Sequence, residues 1–126
     1  MSQDLHVLLD TSALVAAGRG NRIASKLISY AHSTPGWYLY TTVCALVEAE
    51  RERPGTGPHI AALPGITILD LDLAAALAVA AEPGWAAAHT RYAAQPSLER
   101  PDGALVATVE PDQWKGRPVR VLDLTP

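Results

Sequence analysis

The stretch that decides the fold is Leu5-His6-Val7-Leu8-Leu9-Asp10-Thr11-Ser12-Ala13-Leu14. A short apolar run ends on an acid, and two hydroxyl residues follow before a second apolar segment begins. The pattern reads as a buried parallel strand that delivers Asp10 to the carboxyl edge of a sheet. Open α/β sheets bind ligands at that edge, near the point where the strand order reverses. A carboxylate placed there is a candidate metal ligand. Asp10, Thr11 and Ser12 are equally good N-cap residues for a helix starting near Ala13. The run alone leaves both readings open.

Four further strand candidates lie downstream: Trp37–Thr42, Ile66–Leu71, Ala104–Thr108 and Val119–Leu124. The first, Leu5–Asp10, makes five. Several are apolar on both faces, as strands covered on both sides should be. Helix-period segments separate them. Asn21 precedes Ile23, Leu27, Ile28 and Ala31, a spacing that makes one apolar face. Val43, Leu46 and Val47 repeat the pattern, and Gly57–Leu63 has room for one or two turns. Asp72 stands as an N-cap before Leu73–Ala81. A last helix covers Trp85–Ala94 and stops before Pro96. The alternation predicts an α/β domain with a mainly parallel sheet of four or five strands and helices on both faces, a three-layer α/β/α sandwich. At 126 residues the whole chain is expected to form a single domain.

Composition narrows the function classes. The net charge of −3 argues against a strong general affinity for nucleic acid, which rests on many phosphate contacts. Two local basic groups remain, Arg19, Arg22 and Lys26, and Lys115, Arg117 and Arg120. No apolar run is long enough to span a bilayer. The opening Met1-Ser2-Gln3-Asp4 lacks a basic segment followed by an apolar one, so no signal peptide is expected. Cys44 is the single cysteine, which excludes an internal disulfide and fits a reducing, cytoplasmic setting. Its apolar neighbours suggest a small buried hydrophobe. There is no phosphate-binding loop and no nucleophile elbow.

Glu48 lies on the helix that follows the second strand. Helix starts after parallel strands share the carboxyl edge with Asp10, so the two carboxylates can converge. Carboxylates with bound waters are how proteins hold Mg²⁺ or Mn²⁺. A solvated mixed-charge face is the competing reading, because Glu48 sits beside Glu50, Arg51, Glu52 and Arg53. On a helical wheel Glu50 continues the Val43, Leu46, Val47 face and rivals Glu48 as the inward acid.

Leu8-Leu9-Asp10-Thr11-Ser12-Ala13-Leu14, followed by Thr42-Val43-Cys44-Ala45-Leu46-Val47-Glu48, resembles the PIN-domain family. That family includes the VapC-type toxins of bacterial toxin–antitoxin pairs. The resemblance extends over nearly the whole chain through the order of strands and helices. It implies an α/β/α fold, a Mg²⁺- or Mn²⁺-dependent ribonuclease, an RNA substrate, an antitoxin protein as partner and a homodimer. Residue by residue, Asp10 matches the first acid of the family's site and Glu48 the second. Ser12 matches a hydroxyl position beside the first acid. Ala104-Leu105-Val106-Ala107-Thr108-Val109-Glu110 matches a strand, threonine and acid, with Glu110 as the fourth acid, where Asp or Asn is more usual. Trp114 fills the aromatic position after it. Asp10, Glu48 and Glu110 would then hold one divalent ion, and Arg19 and Arg22 would hold the RNA backbone.

The chain departs from the family at the third acid. The resemblance places an Asp at the start of the helix before the Glu110 strand, but Trp85-Ala86-Ala87-Ala88-His89-Thr90-Arg91-Tyr92 contains no carboxylate. A second parse starts a helix at Pro101-Asp102-Gly103 and makes Asp102 the third acid. Gly103, Val106, Thr108, Val109 and Pro111 favour a strand there instead. An incomplete acid set gives the alternative function, a binding or assembly module that keeps the fold without turnover.

The remaining polar residues have plainer expectations. Asp72 reads as a cap, Asp112 as a turn residue and Asp123 as an exposed edge residue. His6, His32, His59 and His89 do not form a zinc spacing, and His89 reads as a surface or half-buried histidine. Trp37, Tyr38 and Tyr40 read as sheet packing or a dimer surface rather than a base-stacking platform.

Overall fold

In the computed structural model, which describes residues 4–126, β1 (Leu5–Leu9), β2 (Trp37–Thr42), β3 (Ile66–Leu69), β4 (Leu105–Thr108) and β5 (Val121–Asp123) pair into one sheet in the order β3-β2-β1-β4-β5. Every neighbouring pair is parallel. Met1, Ser2 and Gln3, which open the stretch read for a signal peptide, lie outside the described residues. Among the described residues no helix is long and apolar enough to cross a membrane.

Among the described residues six α-helices fill the crossovers between strands: α1 (Thr11–Gly18), α2 (Arg22–Ser33), α3 (Val43–Glu52), α4 (Thr56–Ala62), α5 (Leu73–Ala80) and α6 (Trp85–Ala94). Their starts follow the caps legible in the sequence. Asn21 accepts the Ala24 N–H at 2.9 Å, Thr42 the Ala45 N–H at 3.0 Å and Asp72 the Ala75 N–H at 2.9 Å. Each side chain satisfies one of the donors that a helix start leaves without an internal partner.

Strand alternation sorts the core into two layers. Val7 and Leu9 of β1 point to one face and join Leu14, Ile28, Leu39 and Ile60. Leu8 points to the other and joins Ala93, Ala94, Val106 and Trp114. Parallel crossovers are right-handed. Moving outward from β1 to β2 to β3 therefore puts α1–α4 on one face. The return from β3 past β1 to β4 puts α5 and α6 on the opposite one. The result is the three-layer sandwich expected from the alternation of segments.

The same topology creates the site. The chain leaves β1 in one direction and comes back to its other side as β4. At the carboxyl ends of β1 and β4 the crossovers diverge to opposite faces, which opens a crevice. Asp10 follows β1 at that point, and Glu110 follows β4.

The parse that starts a helix at Asp102 is overturned. Gly103 has a φ of +73°, which belongs to a left-handed turn and not to a helix start. A Cβ at that position would stand 2.4 Å from the Ala94 carbonyl oxygen. The turn packs against the end of α6, and β4 follows at once.

Candidate functional site

Asp10 is the centre of the crevice and is 3 % exposed. The N-cap reading of this residue holds. Its Oδ1 accepts the Ala13 N–H at 2.9 Å, which caps α1, and the Ser12 hydroxyl at 2.7 Å. Its Oδ2 accepts the Trp114 Nε1–H at 2.9 Å. The carboxylate is thus fixed by donors from two separate segments.

Ser12 ties β1 to β4. Its Oγ lies 3.0 Å from Thr108 Oγ1 and accepts the Val109 N–H at 3.1 Å. Thr108 Oγ1 in turn accepts the Glu110 N–H at 2.9 Å. The hydroxyl residue after Asp10 and the threonine before Glu110 therefore set where both acids stand. The resemblance places Ser12 as a hydroxyl beside the first acid and so as a candidate substrate-binding residue; its contacts make it a positioning residue for Asp10.

A cleft of about 270 Å³ opens over Asp10, lined by Glu48 and Glu52 of α3, by Trp85, Ala87 and Thr90 of α6, and by Glu110 and Gln113 beyond β4. Glu48 is half-buried, while Glu52 and Glu110 are exposed. The competition between Glu48 and Glu50 resolves in favour of Glu48. Glu50 turns away from the cleft and accepts the Gly55 N–H at 3.0 Å and the Gly57 N–H at 2.7 Å. Those bonds hold its carboxyl below the usual carboxylate range. Ala45 and Ala49 are buried and let α3 lie close to α1, which leaves Glu48 and Glu52, four residues apart, on the cleft side. The sequence reading missed Glu52, although that spacing was the available signal.

The sequence-predicted basic residues stand elsewhere. Arg19 and Arg22 do not line the cleft. They sit past the far end of α1, whose 8 residues span about 12 Å. Among the described residues Arg51 is the cation that pairs with a cleft acid, meeting Glu48 at 3.4 Å, and it lies 5.6 Å from the centre of the Trp85 ring. None of the residues lining the cleft is Lys, Arg or His.

At the third-acid position α6 brings Trp85, Ala86 and Ala87 to the cleft and no carboxylate. Gly84, its N-cap residue, makes no side-chain cap. His89, read as a surface or half-buried residue, is instead buried at 1 % exposure. The cause is that α6 packs against both α5 and β2, so this face of the helix looks inward. Burial lowers the His89 pKa, opposed by the Asp70 backbone and the Asp72 charge.

Several bland expectations hold. Cys44 is buried, and burial together with Glu48 raises its thiol pKa, which removes it as a nucleophile. Trp37 packs edge-on against Tyr30 at 4.9 Å. His6 Nδ1 lies 2.9 Å from Tyr40 Oη. Asp123 is exposed on the edge strand β5, and Asp112 falls in the 3-10 turn Pro111–Trp114.

The fit of Mg²⁺ or Mn²⁺ rests on the donors. Among the described residues no group of three or more His, Cys, Asp or Glu side chains stands close enough to hold a metal ion directly. Oxygen ligands are nonetheless the right chemistry for these hard ions. Mg²⁺ commonly keeps several waters and is held by one or two carboxylates plus substrate phosphates. A cleft with Asp10 at its floor and three acids on its walls fits that mode. It does not fit a fully protein-ligated cage. No family model and no curated protein matches this chain.

Proposed function

We propose that the protein is a divalent-metal-dependent ribonuclease of the PIN-domain type, the toxin of a toxin–antitoxin pair acting in the cytoplasm. The observation that carries this reading is Asp10, buried at the switch point and held by three donors, beneath a cleft whose charged residues are all acids. Asp10 would ligate Mg²⁺ or Mn²⁺, and Glu48 and Glu110 are the acids that would help to hold the ion there. A divalent ion supplies Lewis-acid polarisation of a phosphoryl oxygen and activation of water.

The chain's own residues do the rest. Ser12 and Thr108 fix Asp10 and the start of the Glu110 segment. Glu48, Glu52 and Glu110 are acids within the cleft and can accept a proton there. The α6 N-terminus at Gly84–Ala87 faces the same space, and helix N-termini favour anionic groups such as a phosphate. Arg51 at the rim offers a charge to the RNA backbone. Leu73 and Leu77 of α5 are 76 % and 66 % exposed and make the apolar surface that an antitoxin or a second copy would cover.

The second reading is a binding module without turnover. Trp85, Ala86 and Ala87 at the third-acid position favour it. One pair of assays separates the two. The enzyme cleaves single-stranded RNA when Mn²⁺ or Mg²⁺ is added, gains thermal stability from the ion, and loses cleavage in Glu48→Gln. Absence of both cleavage and a thermal shift at millimolar Mn²⁺ refutes the ribonuclease reading.

A further inference from the structure

The open lone pairs of Asp10 decide how a cation can use it. An ionised carboxylate offers about four acceptor sites, two on each oxygen. Oδ1 already accepts two bonds, from Ala13 N–H and the Ser12 hydroxyl. Oδ2 accepts one, from Trp114 Nε1–H. A single site on Oδ2 remains.

The Trp114 bond is built to persist. An indole N–H only donates. Trp114 is 3 % exposed and packs with Leu8, Ala93, Ala94, Ala104 and Val106. Releasing Oδ2 would leave a buried donor without a partner, which native proteins avoid. The ring is also anchored by sequence, because the 3-10 turn Pro111–Trp114 follows directly on Glu110.

We propose that Trp114 is a positioning residue that keeps its hydrogen bond to Asp10 Oδ2 when the site is loaded, so that Asp10 gives one lone pair to one divalent ion. Two-metal sites hold their ions about 3.5–4 Å apart, and a carboxylate that bridges such a pair needs two open acceptor sites. Asp10 has one. The inference rests on the metal-dependent reading above and deepens it by fixing the number of ions at Asp10 and the residue responsible.

The test uses the full chain with ¹⁵N-labelled tryptophan, titrated with Mg²⁺ alone, and Mn²⁺ binding followed by electron paramagnetic resonance. Trp114→Phe assigns the indole signal among the three tryptophans, and Asp10→Asn shows which ion binding belongs to the site. At saturating Mg²⁺ the Trp114 indole proton stays downfield and slow to exchange with solvent. One Mn²⁺ binds at Asp10, without the spin coupling of a close pair. Folded Trp114→Phe binds Mn²⁺ roughly 10–100-fold more weakly, as loss of a residue that orients a ligand predicts. If Trp114→Phe fails to fold, the wild-type indole signal and the Mn²⁺ count decide alone. An indole released on Mg²⁺ loading, or a coupled Mn²⁺ pair lost in Asp10→Asn, overturns the inference and leaves the metal reading standing. No binding of either ion at millimolar concentration overturns both.

Discussion

Replacing Asp10 by Asn should cost stability as well as chemistry. The amide oxygen can keep the place of Oδ1, accepting from Ala13 N–H and Ser12. The amide nitrogen then faces Trp114 Nε1–H across the 2.9 Å once held by a hydrogen bond, and two donors oppose each other. The flipped amide is no better, because it sets a donor against the Ala13 N–H. A hydrogen bond to a charged group contributes about 1.5–3 kcal/mol, and an unsatisfied buried donor costs about 1–3 kcal/mol. Together they predict a loss of about 3–5 kcal/mol, a large part of the roughly 5–15 kcal/mol that holds a domain folded. Trp114→Phe alone loses the bond but creates no opposed donors. In the double variant the Asn penalty shrinks, and the coupling should reach about 2 kcal/mol. The assay is urea unfolding of the four proteins, followed by circular dichroism. Losses that add to within about 0.5 kcal/mol, the behaviour of independent sites, would refute the Asp10–Trp114 bond. A cleavage assay on Asp10→Asn is interpretable only below its lowered melting temperature.

Other perturbations test other parts of the structure. Gly103→Ala places a β-carbon where 2.4 Å separates it from the Ala94 oxygen, at a φ of +73°; a left-handed non-glycine residue costs about 1–2 kcal/mol and overpacking about 1–3 kcal/mol, so chemical unfolding should show a loss of about 2–5 kcal/mol. His89 has a folded pKa below its ordinary value of 6.5. The unfolded chain therefore binds its proton first as pH falls, and this contribution to stability is present above pH 6.5 and lost below it; urea midpoints from pH 7.5 to 5.5 should fall, and less steeply in His89→Gln. Glu50→Ala removes the acceptor of the Gly55 and Gly57 N–H groups, and amide exchange at those two residues should speed up while exchange at Ala13 is unchanged.

Much of the fold was legible because its signals are local. Each strand is a short apolar run, and Asn21, Thr42 and Asp72 mark helix starts with side chains that can act only on the next turn. The boundaries moved where local signals ran out. The third strand was expected to continue to Leu71 but ends at Leu69, and Leu71 is exposed beside the Asp72 cap. His89 was misplaced because neither its neighbours nor its spacing reveals that α5 and β2 close over one face of α6.

The site was legible in its residues and illegible in its partners. Asp10 and Glu110 could be paired from sequence, since each follows an apolar run that must end at the carboxyl edge. Which donors would seize Asp10 could not be read, because Ser12 and Trp114 reach it from positions 2 and 104 residues away. The basic strip failed for a geometric reason. Arg19 and Arg22 are near Asp10 in sequence, but α1 runs down from the carboxyl edge, and each residue carries the chain about 1.5 Å further from the cleft. Arg51 stands as far along α3 as Arg19 stands from the start of α1, yet it ends at the rim, because α3 packs against α6 and runs along the cleft wall, with Glu48 and Glu52 lining the cleft and Arg51 beside Trp85. Proximity to this site is set by which helix runs along the cleft and which of its faces looks in, and neither is written in distance along the chain.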